Sequence, residues 1–190
     1  YDSDWVNKRI KFLSPVAMRL ELKEGLNNCS IINDYYNSDF SSLDIALDFM
    51  VQQKQHPDKT IILSDILQSG KKDEELYQSV AGLLERKGVR KIIGVGKNIS
   101  SQKDLFPASA KFYTTTNDFI QGIDLSLFKN ETILLKGARP FGFERISILF
   151  QKRVHETELQ INLNSIVHNL NYFKSKVLPK TKIMAMVKAF

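Results

Sequence analysis

The alternation of short β-rich runs with amphipathic helical stretches constrains this chain more than any other feature of its sequence. MRLELK (18–23) alternates apolar and polar positions, as a half-buried strand does. CSIINDYY (29–36) predicts a second strand, and it leads into a helix carrying Leu43, Ala46, Leu47, Met50 and Val51. That i, i+3, i+4, i+7, i+8 stripe is the mark of a core-facing helix. Ser41, with Asp44 three residues later, reads as its capping signal. TIILSDI (60–66) predicts the next strand, and a helix follows with Leu76, Val80, Leu83 and Leu84 on one face. Gly88 stands where a helix-ending glycine belongs. KIIGVG (91–96), AKFYTT (110–115) and TILLKGA (132–138) predict further strands. A helical stretch over 117–128 and a closing helix over 143–154 complete the pattern.

Strands that alternate with helices and are apolar on both faces predict an α/β fold, with a mainly parallel, Rossmann-like sheet covered by helices on both sides. Open sheets of this kind bind ligands at the carboxyl ends of their strands. Polar residues gather there: Asp34 and Asn37, Ser64 and Asp65, Lys97, Thr114 to Thr116, then Lys136 and Arg139. From the residues alone, that gathering fits either a ligand face or ordinary polar loops. Paired carboxylates such as Asp34 and Asp65 fit acid–base chemistry, or a role in orienting a ligand or capping a helix.

Composition removes several function classes. At 190 residues, the chain has room for one good domain and not for two full-sized ones. No apolar run approaches a membrane span, and the first residues lack the apolar stretch of a signal peptide. The single cysteine, Cys29, cannot form an internal disulfide, which suits a reducing cytoplasm. His56, His155 and His168 are scattered without metal-ligand spacing, so no metal site is expected. The net charge of +6 is concentrated in the tail, where residues 151–190 hold seven basic residues against Glu156 and Glu158. No basic stripe interleaved with aromatics crosses the main domain, which argues against nucleic acid as a partner. The charge split instead marks two units joined near residue 152.

Nucleotide motifs are incomplete. GVGKN (94–98) has Ile99 where a dinucleotide fingerprint needs a third glycine. GARPFGFE (137–144) has P-loop glycine spacing, but Phe143 and Glu144 replace the Lys and Ser/Thr. If the chain handles ATP, another domain is expected to hold the phosphates.

Three stretches, in order, carry a resemblance. MRLELKEG with SIINDYYNSDFSSLDIALDFM, ILSDILQSG (62–70) and LLKGARPFGFERI resemble the C-terminal domain of the Mur ligases over about residues 15–150. The similarity is to the branch that acts on UDP-N-acetylmuramoyl-tripeptide and D-alanyl-D-alanine. Met18, Asn33 and Asp39-Phe40 depart from that pattern. The resemblance implies a cytoplasmic peptidoglycan-precursor enzyme. ATP with Mg, bound mainly by other domains, would phosphorylate the tripeptide carboxylate, and the dipeptide amine would attack the acyl phosphate. Arg19, Asp34, Tyr36 and Asn37 would face the nucleotide, and Asp65, Lys136 and Arg139 the amino substrate or acyl phosphate. The rival reading is a non-catalytic α/β binding or regulatory module with an interaction tail.

ELQINLNSIVHNLNYFKSKVLPKTKIMAMVKAF (158–190) resembles the start of an alanine racemase. The resemblance implies that Lys188 is the lysine that forms an imine with pyridoxal phosphate, and that alanine is a second substrate. Residues 1–14 are then the end of a preceding ligase domain or linker, 15–152 the ligase C-terminal domain, and 153–190 the first elements of a racemase barrel. A start without Met and an end inside an apolar run are expected of a chain cut from a longer fused enzyme, inactive by itself. The tail is expected to hold strands over 159–163 and 183–187, and a helix with Ile166, Leu170, Phe173 and Val177 on one side. The tail is expected either to dock on the ligase domain or a neighbouring chain, or to be poorly ordered, and edge pairing between copies would make a homo-oligomer.

Overall fold

Neighbouring residues of a strand point to opposite faces of its sheet, so a strand that is apolar throughout needs a core on each side. The central strands here have that character. Ile32, Ile61, Leu63, Ile92 and Leu134 enter one buried cluster, and Ile31, Ile62, Ile93, Ile133 and Leu135 enter the other. In this computed structural model the chain divides into two units, Tyr1–Lys152 and Arg153–Phe190. The structure describes residues 19–67, 69–152 and 161–184.

The first unit holds strands β1 (Glu21–Glu24), β2 (Ser30–Asp34), β3 (Asp58–Ser64), β4 (Lys91–Val95), β5 (Lys111–Tyr113) and β6 (Glu131–Lys136). They form a six-stranded sheet in the order β1-β2-β6-β3-β4-β5. The four pairings from β2 to β5 are parallel, which makes the expected α/β sheet; β1 is antiparallel to β2. The reason is length. Only Gly25 to Cys29 separate β1 from β2, and a parallel crossover needs a dozen residues or more.

Helices α1 (Phe40–Gln52) and α2 (Asp73–Arg86) cover one face, with Leu43, Leu47, Met50, Leu76, Val80 and Leu84 buried. A short α3 (Lys97–Ser101) adds Ile99 to the same core. Helices α4 (Thr116–Gly122) and α5 (Glu144–Phe150) cover the other face through Phe119, Ile146 and Phe150. Each large side chain buried in this way contributes roughly 1.5–3 kcal/mol relative to exposure.

Several boundaries differ from the sequence expectation. Helix α1 is capped by Asp39, whose carboxylate accepts from Ser42 N at 2.9 Å while Ser42 Oγ accepts from Asp39 N at 3.2 Å. The expected Ser41–Asp44 pair is not the cap, because the reciprocal box forms two residues earlier. Val51, expected in the core stripe, is 45% exposed, since the buried face of the helix ends at Met50. The stretch 117–128 is helical only to Gly122 and then makes a 3₁₀ turn at Leu125–Leu127. The closing helix stops at Phe150, where Gln151 bridges back to Gly25. Gly88 does end α2: it adopts φ 69°, with Gly88 N on Glu85 O and Val89 N on Leu84 O, both at 3.0 Å.

In the second unit, α6 (Leu163–Ser175) is capped by Asn162 through Ser165 N at 3.2 Å. The expected strand over 159–163 gives way at its end, because this cap starts the helix at Leu163. Ile166, Leu170 and Phe173 lie in α6, and Val177 follows it. Residues 183 and 184 are irregular; the rest of the strand expected over 183–187 lies outside the described residues.

Hydrogen bonds from Ser42, backbone first, hold the Asp39 carboxyl below the ordinary carboxylate range. A depressed acid stabilises the fold fully above its unfolded value, near 3.9, and loses that effect as pH falls through its lower folded value. Replacing Asp39 by Ala is therefore expected to cost about 1 kcal/mol at neutral pH. Urea unfolding should show the difference from wild type shrinking once the pH is well below 3.9.

Candidate functional site

Lys136 ends a central strand, and its side chain is 1% exposed. A buried ammonium needs a counter-charge and acceptors. The register supplies them: Asp34 pairs with Lys136 across β2 and β6, and Lys136 Nζ lies 2.7 Å from Asp34 Oδ2. The same ammonium donates to the carbonyl of Asn37 at 2.7 Å. Asn37 Nδ2 in turn donates to Asp39 Oδ2 at 3.0 Å, so the lysine is connected through one loop to the start of α1.

Above this pair stands Tyr36, 41% exposed, with two guanidinium groups on its ring. Arg19 lies 4.7 Å and Arg139 5.7 Å from the ring centroid, both within cation–π range. Arg19, Asp34, Tyr36, Asn37, Ser42 and Lys136 line an open pocket of about 310 Å³. Its wall therefore combines an aromatic face, carbonyl and carboxylate oxygens held by Lys136, and the Arg19 guanidinium.

The loop after β6 is pinned to the neighbouring strand ends. Gly137 N donates to Asp34 O at 3.2 Å, and Ala138 N to Ser64 Oγ at 2.8 Å. Thr116 Oγ1 donates to Phe141 O at 2.6 Å. Gly142 closes the Arg139–Phe141 turn at φ 61°, a conformation that favours glycine. Arg139 is thereby presented from a backbone held at three points.

Asp65 is placed apart from this group. Its buried carboxylate accepts from Ile99 N at 2.8 Å and Asn98 N at 3.2 Å, closing the first turn of α3, with Tyr77 Oη 3.4 Å away. Burial, and then the Asp65 charge, push the Tyr77 phenol well above its ordinary range. Gly96 passes so close that a Cβ there would come within 2.3 Å of the carboxylate, at φ 149°. Asp34 and Asp65 are therefore not a carboxylate pair. One is matched to a lysine and the other to backbone N–H groups.

The structure thus brings Arg19, Asp34, Tyr36, Asn37, Lys136 and Arg139 together, and Lys136 joins the residues assigned to the nucleotide side. Lys188 lies outside the described residues. Ser42, matched by type in the sequence, lines the pocket. Ser64 and Thr116, expected only among the polar strand-end residues, pin the loop after β6, a role hidden in the sequence because a hydroxyl at a strand or helix end carries no signal of which carbonyl or N–H it will meet. Thr115 caps α4 through Asp118 N at 3.1 Å, and Lys97 is exposed. Among the described residues, no three of His, Cys, Asp and Glu cluster as a metal site would require, and no helix is long and apolar enough to cross a membrane.

No protein-family model matches the chain. The sequence is related to the C-terminal region of the UDP-N-acetylmuramoyl-tripeptide–D-alanyl-D-alanine ligases. It is 28% identical to that ligase of Rickettsia prowazekii over 145 residues, covering 74% of this chain and 32% of the relative. The chain spans about a third of the length of the curated relatives it matches. In fold it is similar to MurF from Acinetobacter baumannii, at 19% identity and TM-score 0.64, covering 78% of this chain and 33% of that one. It is also similar to MurF ligase from Thermotoga maritima in complex with ADP, at 14% identity and TM-score 0.54, covering 73% and 31%.

Replacing Lys136 by Met should cost about 3 kcal/mol, because it strands the Asp34 carboxylate beside apolar surface. Adding Asp34→Asn should recover a large part of that loss, as coupled neighbours do in a double-mutant cycle. Urea unfolding midpoints of the three variants measure it.

Proposed function

We propose that residues 15–152 form the C-terminal domain of an ATP-dependent ligase that joins D-alanyl-D-alanine to UDP-N-acetylmuramoyl-tripeptide in the cytoplasm. The reading is carried by one observation. Of the residues that the motif resemblance singles out, Arg19, Asp34, Tyr36, Asn37 and Lys136 line one strand-end pocket, and Arg139 reaches the Tyr36 ring beside it. The sequence relationship over 145 residues supports it.

In this reading the pocket is the wall that closes over the nucleotide and the activated carboxylate. Lys136 is consumed by Asp34 and the Asn37 carbonyl, so it sets the loop 34–39 rather than meeting substrate. Arg19 and Arg139 are the cations free to turn toward phosphate or acyl-phosphate oxygens, and Tyr36 keeps both poised at the pocket. Asp65 shapes the β4–α3 loop from behind and touches neither substrate. ATP with Mg would supply the phosphoryl group that activates the tripeptide carboxylate. This chain fits the side of such a ligand and not its phosphate cradle: the first turn of α1 is already filled by the Asp39 carboxylate. The cradle belongs to other ligase domains, and the chain alone is inactive.

The second unit is, on the same footing, the start of an alanine racemase domain, with Lys188 as the lysine for pyridoxal phosphate. Helix α6 falls where the racemase-like motif calls for a helix, which supports the reading.

Assembled with the remaining ligase domains, Arg139→Ala and Arg19→Ala should each lower kcat/KM for ligation by about tenfold or more, as loss of a charge-assisted contact does. Wild-type steady-state kinetics in both variants would remove this pocket from the active site.

In the longer protein, Lys188→Ala should abolish the internal imine absorbance while leaving ligation unchanged. An unaltered imine band would assign the cofactor lysine elsewhere.

A further inference from the structure

The opposite edge of the sheet carries a second pocket, of about 470 Å³, at the amino ends of β3, β4, β5 and β6. It lies about 16 Å from Lys136, since five residues of β6 separate the two edges at ~3.3 Å each. That volume falls in the range of small-molecule sites.

Its floor is apolar. Ile92, Ile93, Ile123 and Phe128 line it, and Leu127 stands at the mouth 57% exposed. Phe128 is fixed by its edge-on contact with Phe150, with ring centroids 4.9 Å apart, and by Lys91 Nζ 4.4 Å from its ring centroid. The wall is charged, and most of that charge is already matched. Glu131, buried at the start of β6, accepts from Lys91 Nζ at 2.8 Å, from Lys129 N at 3.2 Å and from Thr60 Oγ1. Lys59 turns away to the carbonyls of Gln53 and His56, and Arg90 faces Asp58 at 3.4 Å.

Lys111 and Lys129 remain. Both line the pocket, both are exposed, and neither has an ion-pair partner among the described residues. Asp124, an acid on the loop preceding Lys129, is not among the residues lining the pocket, and its carboxylate is engaged by Ser126 N at 2.9 Å. A flat apolar floor beneath two unmatched ammonium groups is complementary to a molecule with an apolar body and an anionic head. A neutral apolar ligand would leave the lysines unused, and a bare anion would leave the floor in water.

We propose that this pocket binds a small organic anion, an aromatic or branched-chain phosphate or carboxylate. Its body lies on Ile93, Ile123 and Phe128, and its charged head meets Lys111 and Lys129. The site is separate from the strand-end pocket, and the proposal stands whether or not the ligase reading does.

Amide chemical-shift titration of the chain with phenyl phosphate, phenol and inorganic phosphate tests it. Phenyl phosphate should give saturable shifts at Ile93, Ile123 and Phe128, and phenol and inorganic phosphate should each bind at least tenfold more weakly. Lys111→Glu with Lys129→Glu should weaken phenyl phosphate at least tenfold, whereas Lys103→Glu, an exposed lysine elsewhere, should not. Both substituted lysines are exposed, so the fold is expected to survive, and the amide spectrum checks that directly. The proposal is overturned by absence of saturable shifts at those amides, by equal binding of inorganic phosphate, or by a double variant that binds as wild type.

Discussion

Strand β6 begins and ends with a buried charge, and the arrangement of the first unit follows from how those charges are met. Every residue from Glu131 to Lys136 is buried. An isolated ion in such a place would cost several kcal/mol in lost hydration. Each end therefore needs partners from neighbouring strands. Glu131 takes Lys91 from β4 and Thr60 from β3, and Lys136 takes Asp34 from β2. A one-residue slip of β6 would separate both sets and would also turn its apolar side chains to the wrong faces. The charges thus add specificity to a register that the hydrophobic pattern already favours.

The two edges of the sheet use their charge differently. At the carboxyl edge, Lys136 and Asp65 spend their charge on holding backbone: one grips the loop after β2, the other the first turn of α3. The groups left facing outward are Tyr36 and the two arginines stacked on it. At the amino edge, the matched pair of Glu131 and Lys91 seals the wall, while Lys111 at the start of β5 and Lys129 on the loop before β6 have no ion-pair partner among the described residues. In both places an internally satisfied layer of matched charges carries exposed cations beside it. That combination presents charge to a ligand without having to order a whole loop on binding.

Much of this was legible before any coordinates. The strands KIIGVG and TILLKGA read as two-sided because each is apolar at consecutive positions, and consecutive positions face opposite cores. Gly88 was readable as a helix end because the left-handed conformation there selects glycine. The Asp39 cap was not, because Ser41 and Asp44 offered an equally good local pattern two residues along. Helix α3 was not readable either. Its five residues have too little periodicity to register, and its first turn is completed by a carboxylate more than thirty residues away in sequence. Asp65 looked like a ligand-facing acid for the same reason: its partners are backbone N–H groups, which have no letter in the sequence.

The sequence by itself determined the class of fold, the two-sided core and the set of polar residues at the strand ends, because these depend on periodicity and residue type along the chain. Only the tertiary structure decided which of those residues meet. Strand order sets β6 between β2 and β3, so Lys136 faces Asp34 from 102 residues away and is buried, while Arg139 is left exposed. Whether a charge serves the fold or faces a ligand depends on the partners that long-range packing brings within hydrogen-bond distance.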